Sequence, residues 1–316
     1  MTFIIILIIA LLTSCTMPEE VRSDVYLISA ALDYEGMSVS TLHGAVNDQS
    51  SVITQFRYLS EADGRNFHSY QLTQKGESVY MKYETSPLLG DRTELVRNID
   101  VRSIKSELVD IIRNLPSRDN DLVIFYYGGH GLSSKGTSEH GALVLGDLRS
   151  AGAMADGDRQ LILTPEDLRY ELGAVSGNKV IILDSCFSGT GSRDDGIPEA
   201  GDIAGAFSLL FSKSRIRNDL IWEINASTAD RPSYEKSETD DMKAHGRFTV
   251  ELLKYLGYRF YADQTEGPGL PSSGVLTVYD AWEYTSNTLS KSTQTPTSGK
   301  SERDLILFIL QGTFRF

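Results

Sequence analysis

The sequence predicts an α/β protein: a mainly parallel sheet of about six strands with helices packed on both faces. Three observations carry this. Apolar runs of strand length recur along the chain, amphipathic stretches at helical spacing separate them, and two of the most apolar runs end in glycine-containing tips that bear reactive side chains.

Residues 25–32 (VYLISAAL) form the first apolar run. Residues 42–59 follow as a helix with Val46, Ile53 and Phe56 near one face, and residues 67–72 alternate as a second strand. In 101–115, Ile104, Leu108, Ile111, Ile112 and Leu115 recur at helical spacing, and Pro116 stops the helix. Residues 122–127 (LVIFYY) are β-branched and aromatic, bounded by acids before and Gly128-Gly129 after, as a buried strand should be. Thr164-Pro165-Glu166-Asp167 is a helix start: a hydroxyl cap, proline in the first helical position and acids in the first turn. Gly173 or Gly177 ends that helix.

Residues 179–183 (KVIIL) are another buried strand and 220–224 a fifth. Helices are expected near 248–256 and 278–289, and 305–310 (LILFIL) closes the sheet as its sixth strand. Strands separated by helices imply βαβ crossovers and hence parallel pairing. Loops at 133–139, 188–203, 227–245 and 262–273 are rich in glycine, serine or charge, and functional loops gather at the carboxyl ends of such strands.

The amino terminus differs in kind. Residues 3–12 (FIIILIIALL) are apolar without interruption, too short to span a bilayer but sized for a signal-peptide core. Leu12-Thr13-Ser14-Cys15 resembles a bacterial lipobox, although no lysine or arginine precedes the core. The expected organisation is a signal peptide over 1–15, a tether over 16–23 and one domain over 24–316, lipid-anchored through Cys15 in the cell envelope. Thr16, rather than aspartate, after the cysteine favours an outer membrane where one exists. The competing reading is a buried amino-terminal segment followed by an ordinary cysteine. With Cys15 acylated, Cys186 is the lone thiol of the mature chain and cannot form an internal disulfide.

Length and composition allow one sizeable core: 316 residues, 41% hydrophobic. A net charge of −13 repels phosphate backbones, so nucleic acid is an unsuitable partner, whereas basic peptides are attracted. Acidity that merely keeps a surface protein soluble fits the charge equally well.

Two strand tips carry the chemistry. LVIFYY runs into Gly128-Gly129-His130-Gly131, and KVIIL runs into Asp184-Ser185-Cys186-Phe187-Ser188-Gly189. Neighbouring parallel strands lie about 4.8 Å apart. An imidazole and a thiol at their ends can therefore meet over one peptide carbonyl, the layout of a thiol nucleophile with acid–base help. His43, His68, His140 and His245 have no such context and read as structural or solvated.

The strand-GGHG and strand-DSCFSG pair resembles the signature of caspase and metacaspase cysteine peptidases. The His–Cys spacing is close to the roughly 50 residues usual in caspases. Residues 42–48 (LHGAVND), Ala226-Ser227, Ser233-Tyr234-Glu235, His245-Gly246-Arg247-Phe248-Thr249 and Gln294-Thr295-Pro296 resemble further family segments, so the likeness covers about residues 24–312. It implies a caspase-like three-layer sandwich with endopeptidase activity. Cys186 would be the nucleophile, His130 the acid–base partner, and the Gly131 and Cys186 amides the oxyanion hole. Asp48 and Asp184 match the metacaspase specificity pocket, with Ser227 and Asp230 beside it, which implies cleavage after arginine or lysine. Without a basic side chain, those carboxylates are expected to lack partners.

The resemblance requires no cofactor. Some relatives use calcium, but the aspartates at 156–158, 194–195 and 240–241 show no ordered ligand spacing. Lys213, Arg215 and Arg217 lie where related enzymes are often cut. A monomer is expected, as for metacaspases. Two other readings stay open: a catalytically silent lipoprotein using the fold as a binding module, and a legumain-like, gingipain-like or transpeptidase enzyme of the same clan.

Overall fold

The structure is a computed structural model describing residues 23–132, 142–148, 158–186, 221–226, 235–236, 244–262, 265–289, 296–299 and 304–310. Strand β1 (Val25–Leu32) leads into helix α1 (Ala45–Ala62). Strands β2 (Phe67–Lys75), β3 (Ser78–Ser86) and β4 (Thr93–Asn98) then form a meander. A 3-10 turn (Val101–Ser103) opens α2 (Ile104–Arg113), and the long strand β5 (Leu122–Leu132) follows.

Next come β6 (Ala142–Val144), β7 (Ile162–Leu163), α3 (Pro165–Gly173), β8 (Asn178–Cys186) and β9 (Ile221–Asn225). Short β10 (Glu235–Lys236) and β11 (His245–Gly246) precede α4 (Arg247–Tyr255). The chain continues through β12 (Arg259–Ala262), β13 (Thr265–Gly267), β14 (Val275–Thr277), α5 (Val278–Leu289), β15 (Thr297–Gly299) and β16 (Ile306–Ile309).

The main sheet runs β15-β9-β8-β5-β1-β2-β3-β4, with β6 and β7 appended to β5. Its five central strands, β9-β8-β5-β1-β2, are parallel. β1, β5 and β8 carry apolar side chains towards both sides of the sheet, and both sides are filled. Tyr26, Ile28, Phe125, Tyr127 and Ile181 meet Ile104, Leu108 and Ile112 of α2 and Leu168 and Leu172 of α3. Val25, Leu27, Ile124, Tyr126 and Ile182 meet Val52, Phe56 and Leu59 of α1, Phe248 and Leu252 of α4 and Ala281 of α5. Two cores sandwiching one sheet make the three layers, and covering both faces explains the near-continuous apolar strands.

From β1 the chain adds β2 on one side and then β5, β8 and β9 on the other. The reversal leaves a crevice beyond the carboxyl ends of β1 and β5, where such sheets bind ligands. The cap of α3 is as the sequence predicts, with Thr164 accepting a hydrogen bond from the Asp167 amide and Pro165 in the first turn.

Two expectations are corrected. The sheet has ten strands among the described residues rather than about six, because β3 and β4 extend one edge, β15 the other, and β6 and β7 add to the tip of β5. Residues 305–310 do not supply the sixth strand: β16 pairs with β14 in a separate two-stranded ribbon. The edge beside β9 is taken by β15, antiparallel to it.

Candidate active site

The pairing of β5 with β8 continues to the last residue of β8 and ends with His130 opposite Cys186. The two residues are therefore neighbours across one parallel strand spacing, about 4.8 Å. Gly131, next along β5, is partly exposed and pairs instead with Leu143 of β6.

His130 is 4% exposed. Its Nε2 lies 2.6 Å from the Ser40 carbonyl oxygen and 3.3 Å from Ser40 Oγ. A carbonyl only accepts, so Nε2 carries hydrogen and donates. The second ring nitrogen, Nδ1, is then the one able to exchange a proton in the neutral ring. The Tyr34 ring packs on the imidazole with centroids 4.6 Å apart.

Two residues before Cys186, Asp184 is the register partner of Gly128, one strand spacing away. Its Oδ2 accepts hydrogen bonds from Thr249 Oγ1 at 2.6 Å and from the Thr249 amide at 3.3 Å. Asp48, in the first turn of α1, is 2% exposed; its Oδ2 accepts from the Gly246 amide and its Oδ1 meets His245 Nδ1, each at 2.7 Å. Gly246 is the cap residue of α4 and has no side chain to perform that role. The two carboxylates do it instead, one from α1 and one from β8, where the positive end of the helix dipole favours them.

Space around the cap is exhausted. A Cβ on Gly246 would sit 2.3 Å from Asp184 Oδ2 and 3.0 Å from Asp48 Oδ2. The expectation that these carboxylates lack partners without a basic ligand is therefore overturned, since each is already bonded within the chain.

Burial pushes the Asp48 carboxyl up to about 7; the charge of Asp184 adds to this, and the His245 hydrogen bond opposes it. For His245, burial acts to lower the pKa, but the bond and charge of Asp48, together with Glu266, outweigh it and the net shift is upward. His245 Nε2 is 3.2 Å from Glu266 Oε1, and the ring stands edge-on to Phe260. Tyr126, whose hydroxyl meets Thr249 Oγ1 at 3.1 Å, has its ionisation raised well above normal by burial and then by both aspartates.

His245, read from sequence as structural or solvated, is thus a 2%-exposed member of the acidic cluster. Its place in the His245–Thr249 segment, next to the helix cap, was the available signal. Ser40 and Tyr34 were not anticipated at all. Cys15, Ser227, Asp230, the cleavage candidates at 213, 215 and 217, and the aspartates at 156, 194–195 and 240–241 lie outside the described residues. Among the described residues, no group of three or more His, Cys, Asp or Glu is arranged to hold a metal, and no helix is long and apolar enough to cross a membrane.

Fold and site together define a class: a three-layer α/β domain presenting a histidine and a cysteine side by side at the carboxyl ends of adjacent parallel strands. The chain belongs to the caspase domain family, which matches residues 27–309.

No curated protein sequence matches the chain. Among solved structures, a secreted C11 cysteine protease from Bacteroides thetaiotaomicron, in complex with an irreversible peptide inhibitor, is 13% identical with a TM-score of 0.33. That match covers 66% of this chain and 49% of the protease, so this chain spans about half of that relative. A hexokinase from Schistosoma mansoni complexed with glucose is 12% identical over 40% of this chain and 34% of its own, with a TM-score of 0.19. Neither likeness is close enough to bear on function.

Proposed function

We propose that the chain is a cysteine endopeptidase that cleaves after arginine or lysine through Cys186 and His130. The observation that carries this is the register pairing of the two residues at the open end of the sheet. The Cys186 thiolate attacks the scissile carbonyl while the imidazolium of His130 gives its proton to the leaving amine, forming a thioester. Water then loses a proton to His130 and attacks that thioester, releasing the acid product and restoring the thiolate beside the imidazolium. The Gly131 and Cys186 amides are assigned to the developing oxyanion, a role often worth about 3 kcal/mol per donor. The Ser40 carbonyl fixes the tautomer.

The preference for a basic residue rests on Asp48 and Asp184, buried together beside the tips, with Ser227 and Asp230 assigned to the same pocket. A guanidinium or ammonium entering there would meet two carboxyl groups of matching charge and hydrogen-bonding character. A specific observation favours a second reading: both acids already hold the start of α4, so they could serve as its cap while selection occurs elsewhere.

Residues 1–15 are assigned as a signal peptide, with Cys15 lipid-modified, residues 16–23 as a tether and 24–316 as the peptidase domain. The protein is then a monomer held at a cell-envelope membrane, and it requires no cofactor.

Fluorogenic peptides with Arg, Lys, Asn or Asp before the scissile bond test the proposal, assayed with and without calcium on wild type, Cys186→Ala and His130→Ala. Arg and Lys peptides cut only by wild type support it. Asn or Asp cleavage favours the second reading, and a well-folded protein inert on all four points to a binding module.

A further inference from the structure

We infer that Tyr34 is a positioning residue for His130, holding the backbone of the strand tip through its phenol oxygen and the imidazole through its ring. The inference rests on the reading of His130 as the acid–base group. It starts from an asymmetry in the sheet. On one side β5 pairs with β8 as far as His130, but on the other its pairing with β1 stops at Ala31 opposite Gly128. Beyond that point the tip has no β1 neighbour, and two phenols stand in for it.

The His130 amide donates to Tyr34 Oη at 2.9 Å, and the Tyr127 hydroxyl reaches the His130 carbonyl oxygen at 2.6 Å. The two phenol oxygens are 2.9 Å apart, and each lies 2.7 Å from the Val144 carbonyl oxygen. Both backbone polar groups of the histidine are thereby fixed by side chains. The fit is tight, since a Cβ on Gly129 would lie 2.5 Å from both phenol oxygens.

Tyr34 reaches this position in an unfavourable conformation. Its φ is 58°, the one left-handed non-glycine residue among the described residues, and it is wholly buried. A bulky side chain rarely adopts that region, and it persists only where the surroundings hold it. Gln74 does so, accepting from the Tyr34 amide through Oε1 at 2.6 Å and from the Asp33 amide through its backbone oxygen at 3.1 Å. The same loop then delivers the Ser40 carbonyl to Nε2, so the segment after β1 controls both the histidine's backbone and its ring. A tyrosine that merely filled the core would need neither the hydroxyl contacts nor the left-handed backbone.

Tyr34→Phe keeps the ring and removes the oxygen. Loosening the tip by a fraction of an ångström or more is expected to lower kcat by about 10–100-fold, with KM within about twofold. Iodoacetamide alkylation of Cys186, followed by mass spectrometry across pH, gives a second readout that needs no proteolysis. Its midpoint is expected to rise towards that of an ordinary thiol as the imidazole loses its alignment.

Unchanged kcat and an unchanged alkylation midpoint in folded Tyr34→Phe overturn the inference. Should that variant not fold, Tyr127→Phe, which removes Tyr34's phenol partner, must show the same shift to a smaller degree; an unaltered profile there overturns it equally. A shifted alkylation profile in a protein that cuts no peptide sinks the peptidase reading alone. Normal proteolysis together with an unshifted alkylation profile in Tyr34→Phe sinks this inference alone.

Discussion

Asp48 and His245 meet at 2.7 Å inside the protein although 197 residues separate them in the chain. The contact joins the first helix to the segment that opens α4, and it makes the acidic end of the sheet a coupled, buried titrating unit.

Stability should therefore depend on pH through this pair. Asp48 is raised from 3.8 to about 7 and His245 is raised above 6.5, so the folded protein holds more protons than the unfolded chain in that range. A raised pKa contributes stability that is complete below the unfolded value and lost as pH rises through the folded one. The melting temperature of wild type minus that of Asp48→Asn is expected to fall steadily from pH 4 to pH 8. A flat difference across that interval would contradict the assignment.

Filling the cap of α4 should be costly. Gly246→Ala drives a methyl into the Asp184 carboxylate, and overpacking of this kind typically costs about 1–3 kcal/mol. Urea denaturation should register that loss, with activity on Arg peptides falling alongside it.

Thr249 links two buried groups, donating to Asp184 and meeting the Tyr126 hydroxyl. Thr249→Val conserves shape while deleting one partner of each, for an expected loss of about 1–3 kcal/mol. Chemical denaturation of the variant against wild type measures it, and a neutral result would mean the hydroxyl is dispensable.

Specificity should respond to charge at Asp184. If its carboxylate receives a basic side chain, Asp184→Asn weakens one charge-assisted hydrogen bond, about 1.5–3 kcal/mol. That corresponds to roughly a 10–100-fold drop in kcat/KM for Arg peptides. Equal turnover of Arg peptides by both proteins would place selection elsewhere.

The opposite end of the sheet supplies a contrast. Asp121, 1% exposed, accepts from the Asp24 and Arg118 amides at 2.7 Å each, tying the starts of β1 and β5 together. Asp121→Ala should destabilise by about 1–3 kcal/mol while leaving kcat of the remaining folded protein unchanged. Parallel melting and active-site titration would separate the two effects.

Much of this architecture can be read along the chain wherever local chemistry and global role coincide. Thr164 and Pro165 announce α3, residues 278–289 are helical as their spacing requires, and LVIFYY and KVIIL declare themselves as central strands. The strands that escaped notice lack that agreement. β4 is exposed at all six positions and β3 is mostly half-exposed, so neither shows the one-sided alternation of a covered strand.

LILFIL misleads for the converse reason. Its apolar residues serve a ribbon with β14, while the sheet edge is taken by Thr297–Gly299, which has no hydrophobic signature. At the candidate site the two reactive tips are legible because each sits on its own strand. The roles of Tyr34, Ser40 and His245 depend on partners 90 to 197 residues away, and no local pattern encodes them.

The beginning of α4 bears on the order in which the molecule is completed. A nascent polypeptide that has emerged only as far as residue 243 already contains both strand-tip residues. It lacks the imidazole and the Gly246 amide that later bond to Asp48, and the threonine that donates to Asp184. Closing contacts over such separations is entropically costly and slow. Vectorial synthesis therefore leaves the acidic corner until last, and its maturation depends on the segment after residue 243 docking against the rest.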